Sequence, residues 1–151
     1  MAQEHEGAAA LNVKSANDIK VIANVGTGTM GHAIALQFAL AGYQTRLVGR
    51  SEASLDRGMA RIRSDAETFA GAGLLRAGES VDDVLARITP VVGYEQGVAD
   101  ADFVIESVAE NRGVKQDVWR EIARSWVLDL LERLSYRRHR NRRGGGCLYN
   151  P

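Results

Sequence analysis

Three glycines in the spacing Gly26-x-Gly28-x-x-Gly31 constrain this chain more than any other feature, because of what flanks them. The apolar run Val21-Ile22-Ala23-Asn24-Val25 leads into them, and the Ala-rich stretch Ala33–Leu40 follows. Strand, glycine turn and helix in that order is the context in which the spacing means dinucleotide binding. Each glycine then has its own task. Gly26 makes the tight turn, Gly28 lets the backbone approach a pyrophosphate, and Gly31 lets helix and strand pack closely. The helix start offers free N–H groups and the positive end of its dipole. Thr27, Thr29 and Met30 complete the candidate turn. A glycine-rich turn without a ligand is the plainer alternative, and the flanking pattern argues against it.

The chain around the turn alternates strands and helices. Asp18–Val25 reads as a first strand, Thr29–Ala41 as a helix closed by Gly42, and Gln44–Gly49 as a second strand. Ser51 is placed to cap a long helix over Glu52–Ala70, where Leu55, Met59, Ile62, Ala66 and Phe69 recur every three or four residues. Ser80 opens a short helix to Arg87. Ile88–Val92 is a strand whose Pro90 suits an edge. A short helix over Tyr94–Ala101, a buried-type strand over Asp102–Val108 and a helix from Val114 onward follow. Such alternation predicts an α/β fold, a Rossmann-type, doubly wound, mainly parallel sheet.

Composition sets the outer limits. A length of 151 residues with 45% hydrophobic and 25% charged residues fits one globular domain. No run of about eighteen apolar residues occurs, so no membrane partner is expected. The single Cys147 permits no internal disulfide and suits a reducing, cytoplasmic setting. The net charge of zero hides an asymmetry: six arginines and no acid occur from Arg133 onward, leaving 13 basic against 19 acidic groups before it. The expected organisation is a flexible leader over 1–17, a dinucleotide-binding domain over 18–125, and an atypical helix with a basic Arg/Gly-rich tail over 126–151. A nucleic-acid role for Arg137–Arg143 is disfavoured by the acidic body and the lack of aromatic residues inside the cluster.

Several segments together carry a resemblance. Gly26-Thr27-Gly28-Thr29-Met30-Gly31-His32, Leu47-Val48-Gly49-Arg50-Ser51, Arg57–Ile62, Ala101–Asn111 and Lys115–Trp119 resemble the N-terminal domain of the 3-hydroxyacyl-CoA dehydrogenases, over about Ile19–Arg124. The resemblance implies NAD as cofactor and hydride transfer from the 3-hydroxyl of an acyl-CoA in fatty-acid metabolism. It also implies that Gly26, Gly28 and Gly31 serve the pyrophosphate, and that Glu110 and Lys115 face the nicotinamide end. For Glu110 a helix-capping acid, and for Lys115 a solvated side chain, are the alternatives.

Two departures from that family follow. At the end of the second strand, Gly49-Arg50-Ser51 stands where the family usually reads Asp-Arg-Ser. An acid there accepts the ribose hydroxyls. Without it a 2′-phosphate is not repelled and Arg50 could pair with it, so NADP stands beside NAD as an alternative; a solvent-facing Arg50 is the other outcome. The second departure is the end of the chain. After Arg124 nothing matches the strand and the later His–Glu pair that supply the family's general base. Ser125–Leu134 reads as a continuing helix to about Ser135, with a strand at Trp126–Leu131 as the alternative. His5, His32 and His139 are the only histidines, and none is nominated as a catalytic group, nor is any residue as a metal ligand. The expectation is a truncated sheet, inactive by itself, from a shifted reading frame or mispredicted gene end. The alternative is a stand-alone nucleotide-binding, sensor or partner-dependent module. An acyl-CoA partner requires a second domain or chain, and an uncovered sheet edge and helix face predict self-association.

Overall fold

The computed structural model describes residues 15–125. Four strands, β1 (Val21–Val25), β2 (Gln44–Gly49), β3 (Ile88–Val92) and β4 (Phe103–Glu106), form one sheet in the order β3-β2-β1-β4. Every neighbouring pair is parallel. The helices between them are α1 (Thr29–Leu40), α2 (Glu52–Gly71), α3 (Val81–Leu85) and α4 (Tyr94–Val98), and α5 follows β4 over 112–125. The chain steps outward from β1 to β2 and β3, then crosses back to place β4 on the other side of β1. The connection therefore reverses between β1 and β4, and in sheets of this kind that reversal opens a crevice at the strand C-termini.

Side-chain alternation sends each strand's residues to two separate cores. Leu47 and Ile88 pack beneath α1, α2 and α3 with Ala35, Leu36, Leu55, Ile62 and Val84. Ala23, Val25 and Val48 pack on the other face with Tyr94, Val98, Val118 and Ile122, under α4 and α5. Helices on both faces of a parallel sheet make this a doubly wound α/β fold of Rossmann type. Burying a side chain such as Ile62 or Leu47 completely stabilises the fold by about 1.5–3 kcal/mol relative to exposure.

The local chemistry explains the element boundaries. Ser51 caps α2 through its hydroxyl, which accepts from Ser54 N, and Ser80 with Asp83 forms a reciprocal capping box at α3. That contact, the Asp83 carboxylate accepting from Ser80 N and Oγ at 2.9 and 2.6 Å, holds the Asp83 pKa below its ordinary value. The first strand starts at Val21 rather than Asp18, because residues Ala16–Asp18 form a 3-10 turn in which Asp18 accepts from Ser15 N and Oγ. Asp102 then accepts from Lys20 N and Val21 N and anchors the strand's start beside β4. Pro90 lies in β3, an outer strand as expected.

The reading of Asp102–Val108 as a buried-type strand is corrected. β4 is shorter, Phe103–Glu106, and lies at the sheet edge among the described residues, so Phe103 is 45% exposed and the other three are only partly covered. α5 is helical through 125; its proposed extension to Ser135, the arginine tail and the leader before Ser15 lie outside the described residues. No helix among the described residues is long and apolar enough to cross a membrane.

Candidate dinucleotide site

Register places the candidate residues along one edge of the sheet. Val25, at the end of β1, lies opposite Val48 of β2 and Glu106 of β4. The glycine turn after Val25 therefore has Gly49 and Arg50 on one side and Glu106 on the other, at strand C-termini, with Glu110 following in the loop after β4 and Lys115 in the first turn of α5.

The turn is made by two tightly enclosed glycines around an open one. Gly26 has φ +126°, a conformation open to glycine and strained for other residues, and a Cβ there would come within 2.6 Å of the Ser107 carbonyl. A Cβ on Gly31 would overlap the Gly26 carbonyl and come 2.9 Å from Ser107 Oγ. Gly28 is the N-cap of α1, with φ −72° and ψ −164°, and nothing lies within 4 Å of the Cβ it lacks. A ligand group can thus reach the backbone at Gly28 and the first N–H groups of α1, where an anion is favoured. Thr29 and Met30 begin that helix at the surface, Met30 being 65% exposed. Thr27 points the other way: its methyl group lies 3.0 Å from where a Cβ on Gly49 would stand.

That contact bears on the missing acid at the end of β2. A Cβ on Gly49 would also meet Ser54 Oγ at 2.9 Å and Leu55 Cγ at 3.0 Å. Gly49 is thus walled in by the turn on one side and α2 on the other, while the Arg50 side chain beside it is exposed to solvent.

On the β4 side the structure brings Glu110 and Lys115 together. Lys115 Nζ donates to Glu110 Oε1 at 2.8 Å and stands 3.5 Å from Glu106 Oε2. The Glu110 hydrogen bond chiefly, helped by the Glu106 charge, raises the Lys115 pKa above its ordinary value. Glu106 is a residue that sequence reasoning did not single out. Its side chain is only 8% exposed, and Oε1 accepts from Val108 N at 2.6 Å, so the carboxylate is fixed where β4 ends. As the last residue of its strand, it reads from sequence as the solvent-facing end of β4. Next to this pair, Arg112, Gln116, Trp119 and Arg120 line an open concave surface on α5.

A second residue missed from sequence is Asn24. It occupies a strand position with both sides covered and is fully buried. Its Nδ2 donates to the carbonyls of Gly26 at 3.0 Å and Gly31 at 2.9 Å, and its Oδ1 faces Ser107 Oγ at 3.2 Å. A polar residue inside an apolar strand was the available signal, because a buried amide is costly unless satisfied. His32 is engaged rather than free: Nδ1 lies 2.8 Å from Gly28 O and Nε2 3.2 Å from Asp65 Oδ2. Among the described residues no cluster of His, Cys, Asp or Glu suits a metal ion.

A family model described as "3-hydroxyacyl-CoA dehydrogenase, NAD binding domain" matches residues 21–128. The fatty acid oxidation complex subunit alpha of Psychrobacter cryohalolentis is 33% identical over 109 residues, 72% of this chain and 15% of that protein. The 5-formyl-3-hydroxy-2-methylpyridine 4-carboxylate 5-dehydrogenase of Mesorhizobium japonicum is 37% identical over 105 residues, 69% of this chain and 32% of that protein. Among solved structures, (S)-3-hydroxybutyryl-CoA dehydrogenase PaaH1 from Ralstonia eutropha superposes with a TM-score of 0.65 at 29% identity, covering 71% of this chain and 37% of the other. The chain thus spans well under half the length of each of these relatives.

Proposed function

The chain belongs to the 3-hydroxyacyl-CoA dehydrogenase family, within its NAD-binding domain, and from this we infer that it serves as the cofactor half of such an oxidoreductase. The observation that carries the reading is the open Gly28 between two glycines that admit no side chain. A pyrophosphate fits that gap, held by backbone N–H groups of the turn and of α1. Gly26, Thr27, Gly28, Thr29, Met30 and Gly31 form the phosphate cradle. Gly49 and Arg50 flank the adenosine ribose, and Glu110 and Lys115 lie towards the nicotinamide. When bound, the nicotinamide supplies a hydride acceptor for the 3-hydroxyl of an acyl-CoA.

This chain's own residues bind and orient the dinucleotide without supplying the proton transfer. Among the described residues the one histidine, His32, is committed to Gly28 O and Asp65. In this reading the proton transfer and the acyl-CoA site are supplied by a second domain or a separate chain. By itself the chain binds cofactor without turnover. A partner-dependent or sensor module would share that property.

Cofactor choice is open to NADP as well as NAD. No carboxylate stands at 49 to repel a 2′-phosphate, and the Arg50 guanidinium next to it is solvent-exposed and able to pair with one. The test is a fluorescence titration of the chain with NADH and NADPH side by side, followed by incubation with NAD and 3-hydroxybutyryl-CoA. Binding near micromolar without NADH production is expected. Absence of binding to either cofactor refutes the cradle, and steady turnover refutes the division of labour. NADH affinity far above NADPH affinity refutes the role given to Arg50.

A further inference from the structure

We propose that Asn24 is the positioning residue of the phosphate-binding turn, acting through the Gly26 and Gly31 carbonyls to hold the backbone donors in place for a pyrophosphate. The inference rests on the dinucleotide reading and adds to it a side chain that never touches the ligand.

The geometry leaves one orientation for the amide. Nδ2 has two hydrogens and two carbonyl oxygens in front of it, Gly26 O at 3.0 Å and Gly31 O at 2.9 Å. The flipped amide would set an oxygen against both carbonyls, so the donor side must face the turn. These two carbonyls bracket the segment Thr27–Met30 whose N–H groups are to meet the ligand. Fixing the first and last peptides of this arc restricts the direction of the amides within it.

The same amide links the turn to β4. Oδ1 stands 3.2 Å from Ser107 Oγ, and Ser107 N donates to Val25 O at 2.7 Å. Ser107 is also the residue whose carbonyl and hydroxyl wall in Gly26. Asn24 therefore joins three things: the end of β1, the start of α1 and the residue after β4. An apolar residue would satisfy a buried strand position such as this one. The polar group is explained by the turn, since a buried amide whose two donors both meet carbonyls offsets its desolvation only where such partners exist, while the one Ser107 hydroxyl hydrogen is shared between Asn24 Oδ1 and Val25 O.

The experiment compares wild type, Asn24→Val and Ser107→Ala for binding of ADP-ribose, by calorimetry, and of adenosine, by saturation-transfer NMR. Adenosine carries no phosphate and does not reach the turn, so a loss confined to ADP-ribose separates positioning from general destabilisation. Asn24→Val is expected to weaken ADP-ribose about tenfold with adenosine unchanged, the scale of two lost neutral hydrogen bonds. Ser107→Ala, which leaves both Asn24 donors in place, is expected to weaken it by about two- to threefold. It carries the comparison if the valine variant does not fold. Unchanged ADP-ribose affinity in the folded variants overturns the proposal, as does an equal loss for both ligands. Failure of wild type to bind ADP-ribose overturns the dinucleotide reading, and this one with it.

Discussion

Gly28→Ala separates the fold from the ligand site in a way no other substitution in the turn does. The residue has φ −72° and ψ −164°, which alanine adopts without strain, and its missing Cβ has no neighbour within 4 Å. At an N-cap, alanine is less favourable than glycine by up to about 1 kcal/mol. The reduced entropy of the unfolded chain returns about 0.4–1 kcal/mol. The two nearly cancel, so Tm should move by no more than about 5 °C for a domain of this size. Binding should respond differently. A methyl group at the point of closest approach displaces the pyrophosphate from the α1 amides, and each charge-assisted hydrogen bond lost costs about 1.5–3 kcal/mol. NADH affinity should therefore fall by about 10- to 100-fold. The companion is Gly31→Ala, whose methyl would lie 2.6 Å from the Gly26 carbonyl carbon and 2.9 Å from Ser107 Oγ. Backbone must move there, so Tm should drop along with binding, by an overpacking cost of about 1–3 kcal/mol or more. Thermal denaturation and NADH titration of both variants make the comparison. Wild-type affinity in a folded Gly28→Ala chain would refute the reasoning, since the ligand could not then be resting on that backbone.

Restoring the family's acid by Gly49→Asp should not restore NAD selectivity; contacts of 2.9–3.0 Å to Ser54, Leu55 and Thr27 make it destabilising by about 1–3 kcal/mol, measurable in urea. Arg50→Ala should weaken NADPH by about tenfold and NADH little, read from paired titrations. The lowered Asp83 pKa gives a stability contribution present above the ordinary carboxylate value and lost as pH falls through the folded one. Asp83→Asn should therefore flatten the acid limb of a denaturation-versus-pH series. The raised Lys115 pKa has the opposite sign: its contribution is present below the ordinary lysine value and lost as pH rises through the folded one, and Glu110→Gln should move that alkaline limb to lower pH.

The glycine turn, the alternation of strands and helices and the caps at Ser51 and Ser80 were legible because each depends on near neighbours in sequence. Local spacing specifies such features directly. The pairing of Glu110 with Lys115 was half legible, since both were singled out while the buried Glu106 behind them was not. Asn24 and Gly49 were harder for a common reason. What gives Asn24 its role is the carbonyl of Gly31 and the hydroxyl of Ser107, 83 positions away. What encloses Gly49 is Thr27 from one segment and Leu55 from another. Exposure of Phe103 likewise follows from strand order, which the residues of β4 do not encode by themselves.

The strand order also fixes how the site should resist opening. The β2 side of the crevice is backed by β3 and by the larger helical core, whereas the β4 side rests on a four-residue strand at the edge of the described sheet. Amide exchange should accordingly be slowest in β1 and β2 and fastest in β4 and the segment carrying Glu110. A dinucleotide lying across all three strand ends would act as a clamp on the weaker side. By linkage its binding energy would appear mainly as slowed exchange there, with little change at the sheet centre.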